Sequence, residues 1–591
     1  MTLLPPRLLF PAMVAVFTAG QTAAGEQVFR HDYEEHPGTF VEVESVFGAV
    51  AKQGSLPYRI TLRNESGLPR AWTVTLSEGN QGRSVTTKAT RRFEVESGAE
   101  VVHEVILPFG PAFLAYDYRS LEIEVSAPGL GSESRQTGQQ TPADFPMIGV
   151  SRALAERSLA RLDAAVRKAN TSNPCFGKPF EPAHLPVDWT GYTGLDVLLL
   201  DEPAWKALTS AQRQALVAWI RLGGRLDLYG VSAIETSSLG LPIAAPEGPD
   251  LPAALSLGRI YCRLWDGREI PEEYLSHYWG APQAAGAFNK EFQQNWGLQS
   301  EFGIKDFNPT LVFLLLLAFA ILVAPVNLFY LAKPGHRHRL FVTTPLISLA
   351  TCLLIVFLIF FIDGVGGKGH RVVLADLQAG KGENRLYFTQ EQISRTGVIF
   401  SSGFETKRPF EINPANLPPS HFNPLSQNGR RFATFEIKGG IYEGEFFRSR
   451  SEQAFSLRAA EPGRARIEAV GEDGGTPVLI SNLAQEIVAF VYRDPKGELW
   501  TCVAGTVVSP GQRIPLERSA STAVPEWLSE TAALFSKSRR DQIEALDEPN
   551  RFFAQVGDPE TLALPTHPAV RWEKTALLLT GTPSGEIAPT P

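Results

Sequence analysis

Two uncharged apolar stretches are the strongest feature of the hydrophobic pattern. They run from Pro309 to Ala332 and from Leu340 to Ile362, and neither contains Asp, Glu, Lys or Arg. Each exceeds the roughly 20 residues with which a helix crosses the hydrocarbon core of a bilayer. The pattern predicts two transmembrane helices at 309–332 and 340–362, in which Pro325 and Asn327 are tolerable if they face the partner helix.

The short loop between these stretches is basic. Residues 333–339 contain Lys333, Arg337 and Arg339, with two histidines beside them. Short loops rich in Lys and Arg remain on the cytoplasmic side of a membrane. We therefore interpret Lys333, Arg337 and Arg339 as topology determinants of a two-helix hairpin that is integral to the membrane.

The N-terminus has the order of a secretory signal. One positive charge, Arg7, precedes an apolar stretch to about Ala19, and small residues follow at 22–25. This order predicts a signal peptide at 1–25, and a retained N-terminal anchor is the alternative. The signal and the basic loop together predict that both large flanking regions are extracytoplasmic, on a bacterial inner membrane.

Polar and apolar residues alternate through the region 26–145. Three segments place apolar side chains on one face: Tyr58, Ile60 and Leu62; Trp72, Val74 and Leu76; Leu121, Ile123 and Val125. Such alternation is typical of half-buried strands. Several short strands in this length predict an immunoglobulin-like β-sandwich.

The spacing of apolar residues along the chain changes in the region 146–265. The apolar run 195–201 is typical of a parallel strand buried on both faces. Thr209 and Gln212 fit a capping box at the start of a helix, and Gly223 fits its left-handed C-terminal cap. A further strand at 225–229 completes a strand–helix–strand unit, which predicts a doubly wound α/β domain.

The remaining chain divides by pattern into three parts. Segments in which polar and apolar residues alternate predict a β-rich extracytoplasmic domain after the hairpin. Apolar residues at helical spacing follow, and the sequence then becomes polar. The predicted parts are a juxtamembrane segment at 266–308, the β-rich domain at 363–520, and a helical segment with a disordered tail at 521–591.

Two stretches resemble a known family. The segment 188–230, DWTGYTGLDVLLLDEPAWKALTSAQRQALVAWIRLGGRLDLYG, resembles the degenerate class I glutamine amidotransferase-like domain of uncharacterised bacterial membrane proteins. The segment 323–349, VAPVNLFYLAKPGHRHRLFVTTPLISL, resembles that family's first span and basic loop. The resemblance covers about residues 40–365. It implies a β-sandwich, an amidotransferase-like domain and transmembrane helices in this order, in components found beside MoxR-type ATPases and von Willebrand A-domain proteins.

The amidotransferase elbow is incomplete in this sequence. True glutamine amidotransferases place a Cys in a G-x-C-x-G turn with a His base downstream, whereas this chain has YGVSAIE at 229–235. Ser232 would lie near the elbow, but Ile234 replaces the second Gly and no acidic residue evidently orients His277. We predict no catalytic, cofactor-binding or metal-binding residue. The candidates for the alternative are Ser232 and Asp201, which lies at a strand end.

Charge and cysteine content narrow the possible functions. The net charge of −8 and the absence of a long basic run give no indication of nucleic-acid binding. Cys175 and Cys262 lie in one extracytoplasmic region and could pair or stay apart. The polar stretch 31–36 contains His31 and His36, which would point apart in a strand, so a solvated leader is the preferred interpretation over a metal site.

These observations favour a non-enzymatic function. We expect a membrane-anchored extracytoplasmic scaffold of the bacterial envelope that binds protein partners. The alternative is an envelope hydrolase or transferase that uses the Ser232 and Asp201 region of the α/β domain. A transporter is disfavoured because neither span carries a charged residue that would mark an ion path.

Overall fold

The computed structural model describes residues 25–80, 85–109, 116–142, 145–169, 175–230, 252–279, 292, 296–303, 309–378, 384–415, 417, 433–438 and 440–585. The protein is mostly β-sheet, in several sheets, and has two apolar helices long enough to cross a membrane. The predicted signal peptide falls on residues 1–25, which lie outside the described residues except for Gly25.

The N-terminal region is a two-sheet sandwich. Its strands are β1 (Glu26–Asp32), β2 (Phe40–Ser45), β3 (Gly54–Asn64), β4 (Arg70–Asn80), β5 (Val85–Val95), β6 (Ala99–Phe109), β7 (Tyr116–Ala127) and β8 (Gly131–Pro142). One sheet has the order β1-β2-β3-β6, and β5-β4-β7-β8 belong to the second. Apolar side chains of both sheets share one core, as the alternation predicts. The stretch 31–36 is not a free leader, because His31 and Asp32 end β1, which pairs with β2.

The next region is an α/β unit. Its elements are β9 (Ile148–Ser151), α1 (Arg152–Ala169), β10 (Lys178–Phe180), β11 (Val197–Asp201), α2 (Glu202–Ala207), α3 (Ser210–Arg221), β12 (Arg225–Gly230), β13 (Ala253–Leu255), β14 (Gly258–Leu264), α4 (Leu275–Trp279) and α5 (Gly297–Phe302). Short 3₁₀ helices occur at Pro182–His184, Trp189–Tyr192 and Glu272–Tyr274. The predicted capping box of Thr209 and Gln212 is present, and Gly223 has φ +111°.

The sheet of this unit has the order β10-β9-β11-β12-β14-β13. All neighbouring pairs except β13–β14 are parallel, so the parallel strands follow the chain order 2-1-3-4-5 of doubly wound sheets. Val197 and Leu199 pack in one core with side chains of α1. Leu198 and Leu200 pack in another core with side chains of α3. Burial on both faces explains the continuous apolar run of β11.

Two apolar helices follow and form a hairpin. The first is α6 (Pro309–Ile321), which continues as a π-helical segment, Leu322–Leu331, around Pro325. A 3₁₀ turn, Arg337–Arg339, precedes the second, α7 (Leu340–Asp363). Almost none of the described apolar side chains of these two helices is buried inside the protein, unlike those of core helices in soluble proteins. Asn327 is the exception: it is buried and faces α7, as its tolerance in a span requires.

The C-terminal region contributes most of its strands to one large sheet. Its elements are β15 (Gly367–Gln378), β16 (Asn384–Thr396), β17 (Phe404–Glu405), β18 (Glu411–Ala415), β19 (Ala433–Lys438), β20 (Ile441–Gly444), β21 (Glu452–Gly463), β22 (Ile467–Asp473), β23 (Thr476–Ser481), β24 (Ile487–Arg493), β25 (Leu499–Cys502), β26 (Arg513–Ile514), β27 (Leu516–Arg518), α8 (Glu526–Ala533), α9 (Lys537–Glu544), β28 (Arg551–Val556) and β29 (Val570–Gly581), with a 3₁₀ turn at Pro559–Thr561. The large sheet has the order β18-β21-β16-β15-β29-β28-β24-β25-β27.

One face of this nine-stranded sheet packs against the small sheet β22-β23-β26. The opposite face packs against α5, α8 and α9. The predicted juxtamembrane segment 266–308 is therefore part of the packed body where the structure describes it, because Trp296 and Leu298 are buried against this sheet.

The prediction of a helical segment and disordered tail at 521–591 is wrong for most of its length. Helices occupy only 526–544, and β28 and β29 then enter the nine-stranded sheet, β29 between β15 and β28. In the run TALLLTG of β29, polar and apolar residues do not alternate, because both faces of the strand are buried. The sequence pattern therefore did not predict a strand there. Ser584 is bonded to Ile467, so order extends beyond β29.

The expected separation of the N-terminal and C-terminal β regions is also wrong. Strand β19 pairs in parallel with β5, at Ala433↔Val85 through Glu436↔Lys88. The second sheet of the sandwich therefore has the order β17-β20-β19-β5-β4-β7-β8. More than 300 residues, including the hairpin, separate these paired strands in sequence. Local patterning carries no information about such a pairing.

Candidate functional site

The carboxyl edge of the parallel sheet brings two buried polar side chains together. In doubly wound sheets, ligands bind where the strand order reverses, which here is between β9 and β11. Ser151 and Asp201 end these two strands, and both are buried. The Ser151 hydroxyl donates to Asp201 Oδ2 at 2.8 Å, and the Ala204 N–H donates to Asp201 Oδ1 at 2.9 Å.

These contacts give Asp201 a structural role. Its carboxylate caps the N-terminus of α2, an arrangement that satisfies backbone N–H groups at a helix start. Both carboxylate oxygens are engaged within the fold, so the side chain is held rather than presented to a ligand. The other sequence candidate, Ser232, lies outside the described residues. His277 lies on α4, where its ring stacks on Tyr274 and its carbonyl accepts from Arg225.

A buried charge cluster lies further back on the same sheet. Asp227 of β12 accepts from Arg225 at 2.7 and 3.0 Å, from Arg263 at 3.0 Å and from the Tyr278 hydroxyl at 3.0 Å. Burial lowers the pKa of Arg263, but the Asp227 charge and neighbouring tyrosines outweigh it and the pKa rises overall. The sequence shows Arg225 and Asp227 on one face of a strand, but Arg263 enters only through the register of β12 with β14. Every member is paired, which favours a structural role.

A cleft opens where the three β-containing regions meet. Its volume is about 700 Å³, within the range of small-molecule and peptide sites. Glu104 of β6 lines it, with Asp188 and Trp189 from the 3₁₀ helix region, Arg91 of β5 and Arg385 of β16. With Glu411 of β18 also in its lining, the cleft combines three carboxylates, two guanidinium groups and three aromatic side chains, contributed by all three regions.

Glu104 is the most perturbed carboxyl group in this cleft. Burial against the cleft walls, and then the charge of Asp188, raise the pKa of Glu104 to about 7. Acids shifted in this way cluster at functional sites, although ion-pair networks also shift them. Sequence reasoning missed Glu104, because alternation along β6 places it on the outward face and nothing local shows that other regions cover that face. A smaller cleft of about 370 Å³ lies between the α/β unit and the nine-stranded sheet.

Buried polar contacts join the regions across this smaller cleft. Glu391 of β16 accepts from Trp296 Nε1 at 2.9 Å and from the backbone N and hydroxyl of Ser536, both at 2.7 Å. Asp376 of β15 pairs with Arg551 of β28 at 2.9 Å and also accepts from the Ser256 hydroxyl of the α/β unit. These contacts connect the part of the chain before the hairpin to the part after it.

The three residues predicted to determine topology lie at the turn of the hairpin. Lys333, Arg337 and Arg339 are all exposed, in or beside the 3₁₀ turn between the helices. On the side of α6, Asn327 Nδ2 donates to Thr344 Oγ1 at 2.9 Å, and Thr343 donates to Asn327 Oδ1 at 2.6 Å. The hairpin therefore closes through neutral polar contacts close to its basic end.

The cysteines and metal-binding residue types form no further site in the described chain. Cys175, Cys262, Cys352 and Cys502 are free thiols, so the Cys175–Cys262 pairing that remained open does not form. Cys262 packs on the core shared with α3, whereas Phe176, next to Cys175, packs on the core shared with α1. Within the described ranges, no group of three or more His, Cys, Asp or Glu side chains could hold a metal ion.

Comparisons with known proteins add little to this picture. No family model matches the chain, and no curated protein matches it. A crystal structure of a protein from Archaeoglobus fulgidus is 11% identical and covers 17% of this chain and 94% of its own, with a TM-score of 0.15.

Two glycosidase structures are similarly distant. Bacteroides uniformis β-glucuronidase 2 is 9% identical and covers 34% of this chain and 24% of its own, with a TM-score of 0.15. A glycosyl hydrolase family 2 member from Bacteroides cellulosilyticus is 8% identical and covers 88% and 77%, with a TM-score of 0.17. TM-scores this low carry no argument about fold or function.

Proposed function

We propose that this protein is a membrane-anchored scaffold of the bacterial envelope, with a single extracytoplasmic body that binds protein partners. The hairpin anchors it to the inner membrane, and the basic turn at 333–339 faces the cytoplasm. In this proposal the two-sheet N-terminal region is an immunoglobulin-like sandwich. The α/β unit is a degenerate glutamine amidotransferase-like domain, and the chain resembles components found beside MoxR-type ATPase and von Willebrand A-domain proteins.

The pairing of β5 with β19 carries the topological part of this proposal. A hydrogen-bonded sheet cannot continue across a bilayer, so the strands before and after the hairpin must lie on one side of it. The contacts of Asp376 and Glu391 across the regions support the same conclusion. Two crossings return the chain to the side from which it left, which agrees with a hairpin whose charged turn lies on the other side.

Impermeant-thiol labelling of the full-length chain tests this topology. With the four native cysteines replaced by serine, single cysteines are placed at Leu68, before the hairpin, at Val470, after it, and at Gly335 in its turn. Leu68 and Val470 are matched in exposure at 61% and 60%. We expect an impermeant maleimide to label positions 68 and 470 in intact spheroplasts, and position 335 only after lysis. Labelling at 470 only after lysis would contradict the proposal.

The scaffold part of the proposal rests on the contacts of Asp201, the described one of the two candidate catalytic residues. Asp201 is committed to capping α2 and to Ser151, which leaves it unsuited to act as a free acid or base. We expect Ser232→Ala to leave partner co-purification and the biological phenotype unchanged. A folded, membrane-inserted Ser232→Ala protein that has lost all function would support the hydrolase or transferase alternative instead.

A further inference from the structure

The loop 397–403 lies directly beside the point where the second apolar helix ends. Helix α7 ends at Asp363, and Gly364 follows with φ +74°. The Val398 N–H donates to the Gly364 carbonyl at 2.9 Å, and the Gly366 N–H donates to the Val398 carbonyl at 2.9 Å. The loop is thus hydrogen-bonded to the first residues outside the span.

Gly303, the last described residue before the first apolar helix, contacts the same end of the body. Arg395, two residues before this loop, donates to the carbonyl of Gly303 at 2.9 Å. Gly303 lies six residues before Pro309, where α6 begins. Gly303 and the first residues after α7 therefore both contact the end of β16 from which the 397–403 loop emerges.

This end of the body exposes large apolar side chains. Phe400 is 87% exposed and Val365 is 65% exposed, whereas Ile399, next to Phe400 in the chain, packs on the core of the nine-stranded sheet. Exposed apolar side chains scattered singly need no explanation. Here, however, Val365 lies two residues beyond the end of α7, and Phe400 lies two residues beyond Val398, which is hydrogen-bonded to Gly364 and Gly366. Aromatic and apolar side chains at that level are typical of the interface between headgroups and acyl chains.

Basic side chains surround the same point. Lys368 and Arg571 are opposite each other at the starts of β15 and β29, and both lie within 4 Å of Glu573. The Arg450 N–H donates to the Gly397 carbonyl at 2.8 Å, and its side chain is exposed. Lys368, Arg450 and Arg571 therefore present cationic groups at this end of the body, and such groups attract anionic lipid headgroups.

We propose that the loop 397–403 is a second membrane contact, in which Phe400 inserts among lipid headgroups of the outer leaflet while Lys368, Arg450 and Arg571 face anionic lipid. The contact fixes the tilt of the extracytoplasmic body relative to the bilayer, because the loop is bonded rigidly to the span end. The proposal rests on the membrane hairpin proposed above. The occupant is the lipid surface, since the contact is continuous with the spans themselves.

Spin-label accessibility in lipid nanodiscs tests this contact on the full-length chain. All four native cysteines are replaced by serine, and Phe400→Cys is labelled in discs of phosphatidylcholine with phosphatidylglycerol. Two further proteins calibrate the scale. One keeps only native Cys352, which is exposed in the middle of α7, and the other carries Leu68→Cys on the sandwich. Collision rates with oxygen and with a water-soluble nickel chelate report the depth of each label.

We expect position 352 to favour oxygen strongly, position 68 to favour nickel, and position 400 to lie between them at headgroup depth. Replacing Lys368, Arg450 and Arg571 with glutamine should shift position 400 toward the value of position 68 in discs that contain phosphatidylglycerol, and change it little in phosphatidylcholine alone. A label at 400 that matches position 68 overturns the inference while the hairpin stands. Protection of position 400 from both reagents also overturns it, because a protein would then cover the loop. A nickel-accessible position 352 instead overturns the hairpin itself.

Discussion

The hairpin and the packed body bury polar groups in different ways. Asn327, the buried polar residue in the described part of the hairpin, bonds only neutral hydroxyl groups, those of Thr343 and Thr344. The body buries whole charges where its regions meet, with Asp376 against Arg551 and Glu391 against Trp296 and Ser536. Buried polar contacts are therefore neutral hydrogen bonds within the hairpin, whereas at the junctions of the body they involve buried charges.

The difference follows from the reference state of each part. Hairpin helices that separate within a bilayer remain in an apolar medium, where their polar groups find other partners, so one contact contributes little. The body unfolds into water, where charges are well solvated. A buried charge that loses its partner is therefore strongly destabilising in the folded state. Substitutions of comparable size should have very different effects in the two parts.

The largest effect is expected at Asp376. Asp376→Asn leaves Arg551 buried without its carboxylate and weakens the contact with Ser256 of the α/β unit. Removing one partner of a buried ion pair costs about 3–5 kcal/mol of unfolding free energy. Guanidinium unfolding of the detergent-solubilised protein, followed by tryptophan fluorescence, measures this loss.

An exposed pair supplies the control for this experiment. Asp473 pairs with Arg513 at 3.1 Å, with both side chains at least half exposed. Asp473→Asn should change the unfolding free energy by less than about 1 kcal/mol. If both variants lose the same small amount of unfolding free energy, then water reaches Asp376 and its pair with Arg551 is not buried.

A smaller effect is expected in the hairpin. Asn327→Leu removes the contacts with both threonines but keeps an apolar side chain of similar size. Interhelical hydrogen bonds in membrane proteins contribute about 0.6 kcal/mol on average and about 1.7 kcal/mol at most. The thermal midpoint in nanodiscs should fall only slightly, and position 335 should keep its labelling pattern. A loss as large as that of Asp376→Asn would contradict the comparison.

Sequence patterning predicted those elements whose neighbours are close in the chain. The hairpin, the capping box of Thr209 and Gln212, and the buried strand at 197–201 each follow from periodicity or spacing within about 25 residues. The pairing of β5 with β19 and the central position of β29 do not, because they depend on partners hundreds of residues away. Strand β29 also lost its alternation through burial on both faces.

The site was less predictable than the fold. Asp201 was singled out because it ends a strand, and the structure does place it at the edge of the sheet, but as a helix cap. No pattern in the sequence around Glu104 indicates a site. Its neighbours come from the 3₁₀ helix region of Asp188 and from β16, and local alternation does not show such distant neighbours. Contacts between regions, rather than local motifs, create the unusual chemistry of this molecule.

The smallest effect is expected at Glu104, where solvent still reaches the side chain and screens its charge. Its pKa of about 7 lies above the ordinary value because burial and Asp188 disfavour the carboxylate. Between about pH 4.5 and pH 7, the folded protein therefore holds a proton that the unfolded chain has released. Stability is greatest at the acidic end of this window and is lost as the pH rises through 7.

Glu104→Gln removes this titration because glutamine stays neutral. The thermal midpoint of the wild-type protein should therefore fall more between pH 5 and pH 8 than that of Glu104→Gln, and the variant should be the more stable of the two at pH 8. Glu100→Gln is the matched control, because Glu100 lies on the same face of β6 but does not line the cleft. If Glu104→Gln and Glu100→Gln show the same pH dependence, the cleft does not desolvate Glu104. The carboxylate of Glu104 would then be as well solvated as a carboxylate on the open surface of the body.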